Sequence, residues 1–136
     1  MANAVLFRSA WFVTLVHFLW IVYVWPVRLD LVGLYAAGLA TSVWNHGTTS
    51  VTAQWCDRVL MGICTVYNAW LSHHHVLPAA CLLASVTCYG VAKVLKATPV
   101  HVAAHLFVTV TNCVLCVVVR EDACIVNGDP WDSLVL

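Results

Sequence analysis

Five polar residues interrupt long apolar runs: Ser42 and His46, then Asp57, then His101 and His105. The first and last pairs are spaced S-x-x-x-H and H-x-x-x-H, so on a helix both members of each pair share one face. Three imidazoles with a carboxylate and a hydroxyl are the parts of a zinc-dependent hydrolytic site. Catalytic zinc commonly takes three protein ligands and keeps a fourth position for water. His46, His101 and His105 are the candidate ligands. Bound zinc lowers the pKa of its water to about 7, which makes a nucleophile available near neutral pH for attack on a carbonyl. Asp57 could hold that water and act as general base. Ser42 could hydrogen-bond the water or the oxyanion that develops on attack. A covalent role for Ser42 would need a second base, and none is evident.

The elements that must position these residues are helices in lipid. Of 136 residues, 62% are hydrophobic and 9% charged, against roughly 45–50% and about 25% in a soluble domain. Mean hydropathy is +0.90. The composition predicts an all-α, polytopic transmembrane helix bundle, a multi-pass integral membrane protein. Formal net charge is zero, so no basic surface points to nucleic acid. The seven cysteines lie mostly inside apolar runs and are odd in number. They read as reduced thiols acting as small hydrophobes rather than a disulfide framework. Cys113 and Cys116 form a lone C-x-x-C with no second pair to complete a metal set.

A spanning helix needs about 20 mostly apolar residues. Five such runs are predicted, at about 4–25, 29–46, 54–72, 76–94 and 98–119, making residues 1–120 one helical bundle. The first is closed by Pro26 and, lacking a small-residue cleavage site, reads as a retained helix. Residues 48–53 read as a tight loop, and His73-His74-His75 as a solvated turn. Pro78 sits in the first turn of the fourth run, where proline is tolerated, and Thr98-Pro99 reads as a helix start. Residues 121–136 read as an acidic tail with turn chemistry at Asn127-Gly128-Asp129-Pro130. Five spans place the N-terminus, the 47–53 loop and the 93–98 loop on one side, called side A. Arg8, Arg58, Lys93 and Lys96 lie near side A, and Arg28 and Arg120 near the other. The positive-inside bias therefore puts side A in the cytoplasm. Trp25, Trp44, Trp55 and Trp70 fall at span ends, as an aromatic belt would.

Span counting also brings the five polar residues to one depth. His46 ends the second run, Asp57 falls in the first turn of the third, and His101 and His105 in the first two turns of the fifth. At about 1.5 Å of rise per residue, all lie in the outer turns of one leaflet. Intramembrane ionisable groups are costly and tend to mark function.

In order and spacing, Ser42-Val-Trp-Asn-His46, Asp57 and His101-Val-Ala-Ala-His105 resemble the superfamily of alkaline ceramidases, progestin/adipoQ receptors and GPI-lipid-remodelling hydrolases, often called CREST. The eleven-residue step from His46 to Asp57 is similar to the alkaline ceramidase branch. The resemblance implies zinc on His46, His101 and His105, with Asp57 and Ser42 supporting the water. It implies a ceramidase-like hydrolase of lipid amides or esters, with a membrane lipid as substrate. That family has seven spans and this chain five, so a homo-oligomer could supply the missing walls. A metal-stapled, non-catalytic membrane receptor or interaction protein is the alternative. Axial haem ligation would leave Ser42 and Asp57 without a role, and a channel subunit is suggested only by small size. His17 reads as an interior hydrogen-bonded residue. Asp57-Arg58 could form an interfacial ion pair. Asn45, Tyr67, Asn68 and Asn112 are candidates for interhelical hydrogen bonds. Gly33, Ala37 and Gly38, with Ala103 and Ala104, would permit close helix packing.

Overall fold

The computed structural model describes residues 3–25 and 27–127, and the side chains of these up to Arg120. The fold is five helices in sequence: α1 (Ala4–Tyr23), α2 (Leu29–Gly47), α3 (Val51–Leu71), α4 (Val76–Leu95) and α5 (Thr98–Asn127). Their starts, and the ends of the first four, fall within a few residues of the predicted runs. Three of them, α1, α4 and the Thr98–Arg120 part of α5, are long and apolar enough to cross a membrane. The other two carry the polar residues of the second and third runs, among them Asp30, His46, Asp57 and Asn68.

Two helix ends differ from expectation. α3 begins at Val51 because Ser50 caps it, its hydroxyl accepting from the Ala53 N–H at 3.3 Å; this is ordinary N-cap chemistry. Asp57 therefore falls in the second turn of α3, not the first. α5 continues past Arg120 to Asn127, so the first part of the expected tail is helical. Pro26 and Gly128-Asp129-Pro130 lie outside the described residues.

α4 and α5 form the most closely packed pair, joined through Lys96, whose φ of 52° gives the left-handed turn that ends α4. α1 packs on α5 and α2, and α2 packs on α3. By contrast α3 meets α4 and α5 sparsely, which leaves the bundle parted along that seam. At the start of α1, Asn3 caps the helix by accepting from Val5 and Leu6, and its amide donates to Thr98 Oγ1 at 3.1 Å. The first turns of α1 and α5 are thus tied together.

Polarity is distributed inside out. Phe12, Phe18, Trp25, Trp55, Trp70 and Leu83 are all more than half exposed, whereas His17, Asp57, Asn68, Thr111 and Asn112 are buried. An apolar cluster of Val24, Val27, Leu31, Tyr35, Leu115, Cys116 and Val119 fills the end of the bundle remote from His46. Next to it runs a buried chain of hydrogen bonds. Tyr35 donates to Asn68 Oδ1 (3.0 Å), Asn68 Nδ2 to Asn112 Oδ1 (2.7 Å), and Asn112 Nδ2 to His17 Nε2 (2.9 Å). The His17 Nδ1–H closes the chain on the Val13 carbonyl at 2.6 Å. Because Nε2 accepts, the proton belongs on Nδ1, so His17 is a neutral imidazole with both nitrogens used. One link from each of α1, α2, α3 and α5 fixes their mutual rotation, and with it the faces on which the site residues stand.

Of the proposed close-packing residues, Gly38 is buried with Cys64 Sγ only 3.4 Å from where a Cβ would stand. Gly33 is exposed and has nothing within 4 Å of that position, so it takes no part in the packing. Gly47 does, since a Cβ there would come within 2.9 Å of the Phe7 ring. The six described cysteines are all free, Cys64 and Cys116 buried.

Candidate metal centre

His46 stands in the last turn of α2, and His101 and His105 stand one turn apart on the face of α5 turned toward it. The α2 position depends on the end of that helix lying tight against α1, which the missing side chain at Gly47 permits by admitting Phe7. The α5 pair is held by the Asn3–Thr98 tie one turn away.

The three imidazole rings form a nearly equilateral triangle. Their centroids are 5.3 Å (His46–His101), 5.2 Å (His46–His105) and 5.0 Å (His101–His105) apart. Metal–nitrogen bonds of about 2.0–2.1 Å place each ring centroid about 3.2 Å from the ion, so tetrahedral angles separate the centroids by about 5.2 Å. The rings match that spacing, and one nitrogen from each lies within 4.8 Å of the others. Bonds of that length require the nitrogens to close to roughly 3.4 Å of one another. The cluster could hold a metal ion.

A further residue of this centre lies on α1. Ser9 Oγ and His105 Nδ1 are 2.8 Å apart, and Ser9 also donates to the Leu6 carbonyl at 3.0 Å. With its proton committed to Leu6, the hydroxyl accepts from the Nδ1–H of His105. That selects the tautomer with Nε2 free for a metal and orients the ring, as partners of metal-bound histidines generally do. Sequence reasoning missed Ser9, because a serine in a first apolar helix carries no spacing that links it to a histidine 96 residues away.

Asp57 is buried, and one of its oxygens has a partner. Asn45 Nδ2 donates to Oδ2 at 2.6 Å, while Oδ1 is buried without one. A buried carboxylate oxygen left unpaired is costly. A water or ion shared with the three histidines would satisfy it, which is an independent sign that the residues fit a metal-and-water site. The expected Asp57–Arg58 ion pair is not made; Arg58 lies over the Trp55 ring instead, 5.4 Å from its centroid. Ser42 lines the same cavity and makes no hydrogen bond among the described residues, leaving its hydroxyl available.

The histidine triangle, Asp57 and Ser42 line one end of a cavity of about 530 Å³ at the parted seam between α3 and α4. The rest of its wall is mainly apolar, with Met61, Gly62 and Val66 from α3, Val86 from α4 and Val108 from α5. On the other side of His46, Asp57 and His101 is a smaller cavity of about 230 Å³, lined largely by polar groups that include Asn45, Gln54, Arg58 and Lys93. All five residues singled out from the sequence thus line the apolar chamber, and three of them, His46, Asp57 and His101, also border the polar one. No protein-family model, curated protein or solved structure gives a significant match to this chain.

Proposed function

We propose that the chain is a multi-pass integral membrane hydrolase that uses zinc to cleave an amide or ester bond in a lipid. The observation that carries this reading is the histidine triangle with the unpaired Asp57 oxygen beside it, set at the end of an apolar cavity. The inside-out polarity supports placement in lipid. Exposed Phe, Trp and Leu side chains would face hydrocarbon, and buried polar groups such as those of His17, Asn68 and Asn112 find partners inside, as a bilayer requires. A cavity parted along α3 and α4 would admit a hydrocarbon chain sideways and bring its carbonyl to the polar end. Zinc bound there would supply Lewis acidity to the carbonyl and acidify a water. Asp57, anchored by Asn45, would take the proton of the attacking water and pass it to the leaving amine or alcohol. Ser42 would donate to the developing oxyanion. The products are a fatty acid and the deacylated lipid.

A second reading has its own support. The backbones of α2 and α5 seldom approach closely and their side chains pack together at the far end of the bundle, while at this end His46 and the His101–His105 pair meet across a gap. An ion there would staple the two helices whether or not chemistry follows. Zinc analysis of the purified wild type and His101→Ala, joined to a lipid hydrolysis screen, separates the two. The hydrolase reading expects near-stoichiometric zinc and activity in wild type, both lost in the variant. Zinc without activity, with Ser42→Ala fully functional in the cell, would favour the staple. Full activity in His101→Ala would overturn both.

A further inference from the structure

From the polar chamber beside the triangle we infer the substrate class: a lipid whose head group carries a phosphate. This rests on the hydrolase reading and adds to it. Arg58 and Lys93 line that chamber with His101 and Asp57, and Arg58 also borders the apolar cavity. Lys93 is held over the Tyr89 ring at 5.1 Å from its centroid, and Tyr89 in turn stands edge-on to His101 at 5.4 Å. The exposed Lys93 ammonium thus stands one ring away from the histidine triangle. A neighbouring cavity of about 200 Å³ adds Lys96 beside Lys93.

None of these cations forms an ion pair among the described residues. The contrast is at the other end of the bundle, where Arg28 is bound to Asp30 at 2.7 Å and Asp30 also accepts from Tyr67. The lone carboxylate of the chamber, Asp57, already holds Asn45. Unpaired cations lining a recess, one of them a guanidinium able to grip two oxygens at once, are suited to phosphate. Geometry sets the order along the ligand: hydrocarbon in the cavity at the seam, the scissile carbonyl at the histidines, and the phosphate against Arg58 and Lys93. The bond cleaved is therefore an acyl bond next to the head group. Water adds to the acyl carbon, the C–O or C–N bond breaks, and the alcohol or amine leaves with the proton, the phosphate staying on it.

The test compares matched lipids at trace level in zwitterionic micelles: phosphatidate against diacylglycerol, and ceramide phosphate against ceramide. The expected result is kcat/KM at least tenfold higher for one or both phosphate lipids, narrowing as salt rises. In Arg58→Gln/Lys93→Gln the ratio of phosphate to neutral lipid falls to about one, while zinc content stays at the wild-type level. Equal cleavage of neutral lipids by wild type would overturn the head-group assignment and leave the hydrolase standing. A preference that survives in the double variant, or that appears only when bulk phosphatidylglycerol makes the surface anionic, would reduce the cations to surface adsorption and also overturn it. If no lipid is cleaved, the hydrolase reading fails. Retention of phosphatidate through purification, at least tenfold greater in wild type than in the double variant, would then still show the phosphate site, and equal retention would refute it.

Discussion

Removal of the Ser9 hydroxyl tests the metal centre through a helix that supplies none of its ligands. In Ser9→Ala the Nδ1–H of His105 loses its acceptor at 2.8 Å. His105 is 9% exposed, so bulk water cannot readily take the hydroxyl's place. Two costs follow: an unsatisfied buried donor, about 1–3 kcal/mol, and a ring free to turn or to change tautomer. Loss of such a partner typically lowers metal affinity about 10–100-fold, or about 1.4–2.8 kcal/mol, and the two estimates agree. The assay is zinc competition against a chromophoric chelator in detergent. Ser9→Ala is expected to bind zinc at least tenfold more weakly than wild type. Ser9→Thr, which keeps the hydroxyl, is expected to stay within about threefold. Thermal unfolding of the metal-free proteins provides the control, since loss of orientation shows in affinity more than in apo stability. Wild-type zinc affinity in Ser9→Ala would refute the argument that this hydrogen bond sets the tautomer and aim of His105.

Asn45→Leu removes the one hydrogen bond on Asp57; activity is expected to fall at least tenfold while zinc stoichiometry in elemental analysis is kept. Gly47→Ala puts a Cβ 2.9 Å from Phe7, and the overpacking should cost about 1–3 kcal/mol in detergent unfolding, with Phe7→Leu recovering part of it. Gly33→Ala meets nothing within 4 Å and should be neutral or stabilising by up to about 1 kcal/mol, measured in the same way. Asn112→Leu cuts two links of the Tyr35–Asn68–Asn112–His17 chain. At about 0.6 kcal/mol per intramembrane hydrogen bond, and up to about 1.7, it should lower stability by about 1–3 kcal/mol with zinc still bound.

The helices were legible because apolar length and punctuation agree. Gly47, the His73–His75 turn and Thr98-Pro99 break the chain where the helices break. The agreement in depth of His46, Asp57, His101 and His105 was also legible, since it needs only rise per residue and alternating direction. Helix rotation and neighbour choice were not. Sequence spacing does not say that α1 lies against α5, and so it could not pair Ser9 with His105 or His17 with Asn112. It suggested that Gly33 and Gly38 belong to one small-residue face, whereas one is exposed and the other meets Cys64. The seam between α3 and α4, which makes the cavity, is a matter of how far two helices stand apart, and no residue type encodes that directly.

The left-handed turn at Lys96 bears on the order of assembly. α4 and α5 are consecutive, joined by a minimal connection and closely packed, so they can form as a hairpin from contacts local in sequence, which form fastest. That hairpin already carries His101 and His105, two of the three candidate ligands, before any distant segment arrives. His46 comes from a helix made much earlier in synthesis and must wait for the hairpin. If the three histidines hold an ion as proposed, its capture would be a late, long-range closure, with an ion held weakly by the hairpin becoming tightly held as α2 docks. A chelator pulse during synthesis in a membrane-supplemented translation system should trap a species with all five helices inserted and α2 undocked, more accessible to cysteine-directed reagents at Cys64.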